Sequence, residues 1–136
     1  MIYAVIDTNV IVSALITKRD DSPTRLVLDY LFHGDIIPIF NDEILSEYRE
    51  VLLRKKFNLS SELVNTLIDV IKELGKNVER IQCNTKLPDP KDIVFYEVSL
   101  AEENSFLVTG NIKHFPISPL IVTPSEMIHI INKTVS

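Results

Sequence analysis

The stretch Ile2-Tyr3-Ala4-Val5-Ile6-Asp7-Thr8-Asn9 decides the class of fold. Its first five residues are apolar without alternation and rich in β-branched side chains. A strand that is apolar on both faces is buried on both faces, which is the situation of a parallel sheet covered by helices. Asp7 ends the run at the strand's carboxyl end, the edge at which open α/β sheets hold their ligands.

The pattern downstream agrees. Residues 10–15 predict a short helix, and 18–23 a polar loop. Ser22 and Pro23 suit the cap and first position of a helix whose stripe is Leu26, Val27, Tyr30 and Leu31, ending at Gly34. Ile36-Ile37-Pro38-Ile39-Phe40 reads as a second strand, and its proline predicts an edge position. Asn41 caps a helix that buries Ile44, Leu45, Tyr48, Val51 and Leu52, closed by Arg54-Lys55-Lys56. Ser60 caps a fourth helix that ends at Gly75. A strand is expected over 78–83, and Asp89-Pro90-Lys91-Asp92 is expected to open a helix running to about residue 103. Phe106-Leu107-Val108-Thr109 and Leu120-Ile121-Val122 are the last strands, and Thr123-Pro124 starts the closing helix. Strands alternating with helices predict an α/β fold: three layers, α/β/α, around a mainly parallel sheet. One domain is expected over 1–132, with a short tail over 133–136.

Composition narrows the function. The 136 residues are 46% hydrophobic and 24% charged, which suits a globular domain and neither a disordered nor a membrane chain. A single cysteine, Cys83, excludes an intrachain disulfide and a cysteine-rich zinc site. No apolar run is long enough to span a membrane, and the start lacks the basic region of a signal peptide, so a cytoplasmic location is expected. The three glycines form no phosphate-cradling loop, and His33, His114 and His129 form no metalloprotease motif. A net charge of −5 argues against holding nucleic acid by bulk positive charge, but it leaves room for carboxylates that hold metal.

Acids fall where such a site would be. Asp7 follows the first strand, Glu47 borders the apolar face of the helix after the second, and Asp89 and Asp92 lie at a late helix start. Thr109-Gly110-Asn111 follows the fourth strand. Each acid has a plain structural reading: Asp7 or Thr8 as a helix cap, Asp89 as a cap answered by Asp92, and Glu47 as a solvated partner of Arg49 or Arg54. Taken together, Asp7, Glu47 and Asp92 would converge at one end of the sheet. Converging carboxylates repel one another unless a cation neutralises them, and hard oxygen donors select Mg²⁺ or Mn²⁺.

This arrangement resembles the PIN domain, a family of metal-dependent ribonucleases that includes VapC-like toxins of bacterial toxin–antitoxin pairs. The likeness rests on Asp7-Thr8-Asn9-Val10, on the helix around Ser46-Glu47-Tyr48, on Asp89-Pro90-Lys91-Asp92, and on Phe106-Leu107-Val108-Thr109-Gly110-Asn111. It covers nearly the whole chain. The resemblance implies an endoribonuclease with Asp7, Glu47 and Asp92 as catalytic and metal-holding acids, cutting RNA to 5′-phosphate and 3′-hydroxyl products. It makes Asn111 the fourth metal position, where the family often carries Asp, and that departure also opens the reading of a degenerate module that binds RNA or a protein without cutting. Asn9, Asp89 and Thr109 are expected to support the acids. Lys18, Arg19, Arg54, Lys55, Lys56 and Lys113 are the expected RNA contacts, with His114 at the rim and Glu97 on the margin of the site. The partners implied are RNA, a cognate antitoxin protein and a second copy of the chain. A receiver or haloacid-type phosphatase would also place an acid after the first strand, but the latter needs a second Asp where Asn9 stands, and no acceptor Asp follows a middle strand.

Overall fold

The computed structural model describes residues 1–135. Five strands form one all-parallel sheet in the order β3-β2-β1-β4-β5: β1 Ile2–Ile6, β2 Ile36–Phe40, β3 Lys76–Asn77, β4 Phe106–Val108 and β5 Ile121–Val122. Six helices flank it, giving the three-layer α/β/α architecture: α1 Thr8–Ile16, α2 Pro23–Phe32, α3 Asp42–Leu52, α4 Ser61–Leu74, α5 Ile93–Ala101 and α6 Pro124–Val135. α6 runs through residues 133–135 of the expected 133–136 tail, and residue 136 lies outside the described residues.

β1 is central because it is apolar on both sides. Ala4, Val5 and Ile6 are fully or almost fully buried. The strand pairs with β2 through Ile2↔Ile36 and Ala4↔Pro38, and with β4 through Ala4↔Phe106 and Ile6↔Val108. Caps fall where their chemistry directs: the Ser22, Asn41 and Ser60 side chains accept from Arg25, Ile44 and Leu63 amides.

Three expectations are corrected. β2 is not an edge strand; it lies between β1 and β3. Pro38 is tolerated there because β3 begins only opposite Ile39, so the missing amide has no ladder partner to satisfy. The strand expected over 78–83 is absent: β3 is the two-residue Lys76–Asn77, and the chain from 78 to 89 has no regular structure among the described residues. That segment is held by side chains instead. Glu97 on α5, buried, accepts from the Cys83 amide at 2.7 Å and the Arg80 guanidinium at 2.6 Å, and Arg80 also reaches Glu43 on α3 at 2.7 Å. The helix expected from residue 89 to about 103 is split into a 3₁₀ turn, Pro90–Asp92, and α5, which stops at Ala101.

Candidate functional site

Asp7 and Asp92 occupy equivalent places. Each is the N-cap residue of a helix, α1 and α5, and neither side chain makes the usual capping hydrogen bond. Both carboxylates are therefore released from the cap while staying near the positive end of a helix. Asp7 is fixed by the sheet, its amide donating to the Val108 carbonyl at 2.9 Å. Its Oδ2 accepts from the buried Thr109 hydroxyl at 2.8 Å. Asp92 Oδ2 lies 3.1 Å from His114 Nδ1. Glu47, on α3 six residues beyond its cap Asn41, accepts from the Thr8 hydroxyl, and Tyr48 beside it donates to the Ile6 carbonyl, pinning α3 to the end of β1.

These acids face one polar cleft of about 250 Å³. Its walls carry Asp7, Glu47, Glu50, Asp89 and Asp92, opposed only by Arg54 and Lys91, with Thr8 and Asn9 completing the floor. The carboxylates feel one another. Burial first, and then the charges of Asp92 and Glu47, push Asp7 up from 3.8 to about 6, against the lowering pull of the Thr109 hydroxyl and the Thr8 amide. Burial also raises Asp92, with Asp89 and Glu47 adding to it and the His114 contact opposing it.

The cleft gathers Asp7, Glu47, Asp92, Asn9, Asp89 and Arg54 from among the expected residues. Asp89 also caps the 3₁₀ turn, accepting from the Lys91 amide at 3.0 Å. Thr109 stands behind Asp7. Asn111 is not part of the cleft wall; its amide donates to Thr109 Oγ1 at 2.9 Å. Lys18, Arg19, Lys55, Lys56 and Lys113 are exposed and off the cleft, and Arg19 is engaged with Asp21 at 3.3 Å. Glu97 is away from the cleft, committed to Arg80 and the Cys83 amide.

Three participants carried little signal in the sequence. Thr8 was visible only as a helix start, though its place directly after Asp7 fixes its reach to Glu47. Lys91 lies between two acids of a motif, and Glu50 sits three residues beyond Glu47 on α3.

Carboxylate oxygen donors and an excess of negative charge around a polar cleft fit a hard divalent cation. Among the described residues no three His, Cys, Asp or Glu side chains form a ready-made metal cage. The donor set therefore suits an ion such as Mg²⁺ that keeps several waters and is bound through one or two carboxylates.

An all-parallel sheet in this strand order, with an acid-lined cleft at the carboxyl end of its central strand, defines an open α/β fold that keeps its polar cleft where such sheets hold their ligands. The family model described as the PIN domain matches residues 3–113, and the chain belongs to the PIN-domain family. PIN domains are generally nucleases that act on RNA or other nucleic acid and typically use divalent metal ions. No curated protein matches the chain. No helix among the described residues is long and apolar enough to cross a membrane.

Proposed function

We propose that this PIN domain is an Mg²⁺- or Mn²⁺-dependent endoribonuclease acting as the toxin of a toxin–antitoxin pair in the cytoplasm, with Asp7, Glu47 and Asp92 as its catalytic and metal-holding acids. The observation that carries the reading is Asp7: a carboxylate buried at the end of the central strand, pushed up to about 6, in electrostatic contact with Glu47 and Asp92. A folded chain keeps such repelling, desolvated acids together where a cation binds them.

When bound, the ion supplies positive charge to the phosphate and acidifies a water at neutral pH. The chain's own residues do the rest. Thr109 and Thr8 hold the Asp7 and Glu47 carboxylates in place. Arg54 and Lys91, the cations of the cleft wall, take the RNA phosphates that flank the scissile bond. Lys18, Arg19, Lys55, Lys56 and Lys113 can serve only the more distant backbone. Asn9 and Asp89 orient waters from the cleft wall, and Asn111 completes the set as a neutral group on the loop after β4. An antitoxin protein and a second copy of the chain are the proposed protein partners.

One observation favours a second reading. The fourth position is uncharged and off the cleft wall, as in a degenerate module that binds RNA without cutting. Incubation of the purified protein with RNA and Mn²⁺ separates the two. Cleavage that chelator stops and that Asp7→Asn and Asp92→Asn abolish supports the nuclease. RNA binding without cleavage by the wild type overturns it in favour of the module.

A further inference from the structure

The segment Thr109-Gly110-Asn111-Ile112-Lys113-His114 grips two acids of the cleft from its two ends. Thr109 donates to Asp7 Oδ2 at 2.8 Å, and His114 places Nδ1 3.1 Å from Asp92 Oδ2. Between them the chain braces itself: the Asn111 amide donates to Thr109 Oγ1 at 2.9 Å, and the His114 amide donates to the Asn111 carbonyl at 2.9 Å. The hydrogen bonds that Asn111 makes here come from its backbone, and the side chain by which this segment reaches Asp92 is His114.

A carboxylate has no proton to give, so the ring nitrogen is the donor. In the neutral imidazole this fixes the proton on Nδ1 and leaves Nε2 as an acceptor. Asp92 depends on that bond. It ends a 3₁₀ turn, makes no capping hydrogen bond, and has no other side-chain hydrogen bond among the described residues.

We infer that His114 is a positioning residue for Asp92: its Nδ1–H holds one carboxylate oxygen and leaves the other for the cation. The imidazole takes over from the loop after β4 the task of organising the acid set, which a fourth carboxylate at Asn111 would otherwise share. The inference rests on the reading of Asp92 as a metal-holding acid. Hydrogen-bond partners behind metal-holding groups tune affinity by about 10- to 100-fold.

Calorimetric titration of Mn²⁺ alone into the metal-stripped chain tests it, with thermal melts reporting folding. His114→Leu keeps approximate bulk and removes the donor; Mn²⁺ binding should weaken about tenfold or more. His114→Asn places an amide N–H near the Nδ1 position and should stay within about threefold of the wild type. His114→Gln reaches the Nε2 position instead, and it should lose affinity as the leucine does; it decides the matter if His114→Leu fails to fold. Wild-type affinity in His114→Leu or His114→Gln, or an equal loss in His114→Asn, overturns the inference. Asp92→Asn separates this failure from a deeper one. Lost Mn²⁺ binding there with none lost on removing the His114 donor refutes the role of His114 alone, whereas unchanged binding in Asp92→Asn refutes the metal-holding role of Asp92 and this inference with it.

Discussion

Replacing Asp7 by asparagine should stabilise the metal-free protein at neutral pH. Asp7 is 5% exposed, and its carboxyl is pushed from 3.8 up to about 6. The folded chain therefore holds the Asp7 proton more tightly than the unfolded chain does. The stability linked to that proton is fully present below about pH 4 and is lost as pH rises through about 6, above which the fold must keep a buried charge. A shift of about two pKa units is worth about 3 kcal/mol. Asparagine has nearly the same shape, its Oδ1 can still accept from Thr109, and it does not ionise. Asp7→Asn should match the wild type at pH 4 and exceed it at pH 8 by about 3 kcal/mol, roughly 10 °C in Tm for a domain of this size. Thermal melts in chelator at the two pH values measure this. A variant no more stable than the wild type at pH 8, or equally stabilised at both pH values, refutes the argument. Adding Mn²⁺ at 100 times its Kd should then return about 2.7 kcal/mol to the wild type and much less to the variant.

Thr109→Val removes the donor to Asp7 and the acceptor of the Asn111 amide in a fully buried place; it should cost about 1–3 kcal/mol by urea unfolding and weaken Mn²⁺ binding. Glu97→Ala unpins the 78–89 segment from α5; it should cost about 2–3 kcal/mol and expose that segment to limited proteolysis, read by mass spectrometry. Asn111→Asp distinguishes a metal-holding side chain from a backbone brace. Calorimetry should give tighter Mn²⁺ binding if the side chain turns into the cleft, and unchanged affinity and stoichiometry remove Asn111 from the site.

The architecture was legible because it is written in local patterns. The doubly buried run before Asp7, the caps at Ser22, Asn41 and Ser60, and the helical stripes are each set within a few residues. The segment from 78 to 89 was not legible because what shapes it lies far along the chain: Glu97 takes the Cys83 amide and the Arg80 side chain, and Arg80 spans on to Glu43. Apolar residues at 78 and 81 mimic a strand, but the sheet's hydrogen bonding ends with the Val78 amide on the Phe40 carbonyl, and the polar contacts of Arg80 and Cys83 lead the chain away beyond it. Pro38 misled in a similar way, since its place depends on where β3 begins. In the cleft, Asp7, Glu47, Asp89 and Asp92 could be picked out from strand ends and helix faces. Thr109 and His114 stood beside the implied site, but the pairings Thr8–Glu47, Thr109–Asp7 and His114–Asp92 could not be read, because they are contacts between distant elements.

The bond between Thr109 and Asp7 joins residues 102 positions apart, and it is made possible by β4 lying beside β1. Contacts of such long sequence separation require closure of a long loop before any stabilisation returns, so they form late in folding. During synthesis β1 can pair with β2 as soon as the first forty or so residues are free, but its other side stays open until β4 emerges. Until then Asp7 lacks both the Val108 carbonyl that fixes its amide and the hydroxyl that aims its carboxylate, and Asp92 lacks His114. A growing chain therefore carries every acid of the cleft well before it carries the cleft. For a nuclease made on a ribosome, surrounded by RNA, this order of assembly acts as a delay that keeps the proposed activity from appearing before β4 and the segment through His114 have emerged.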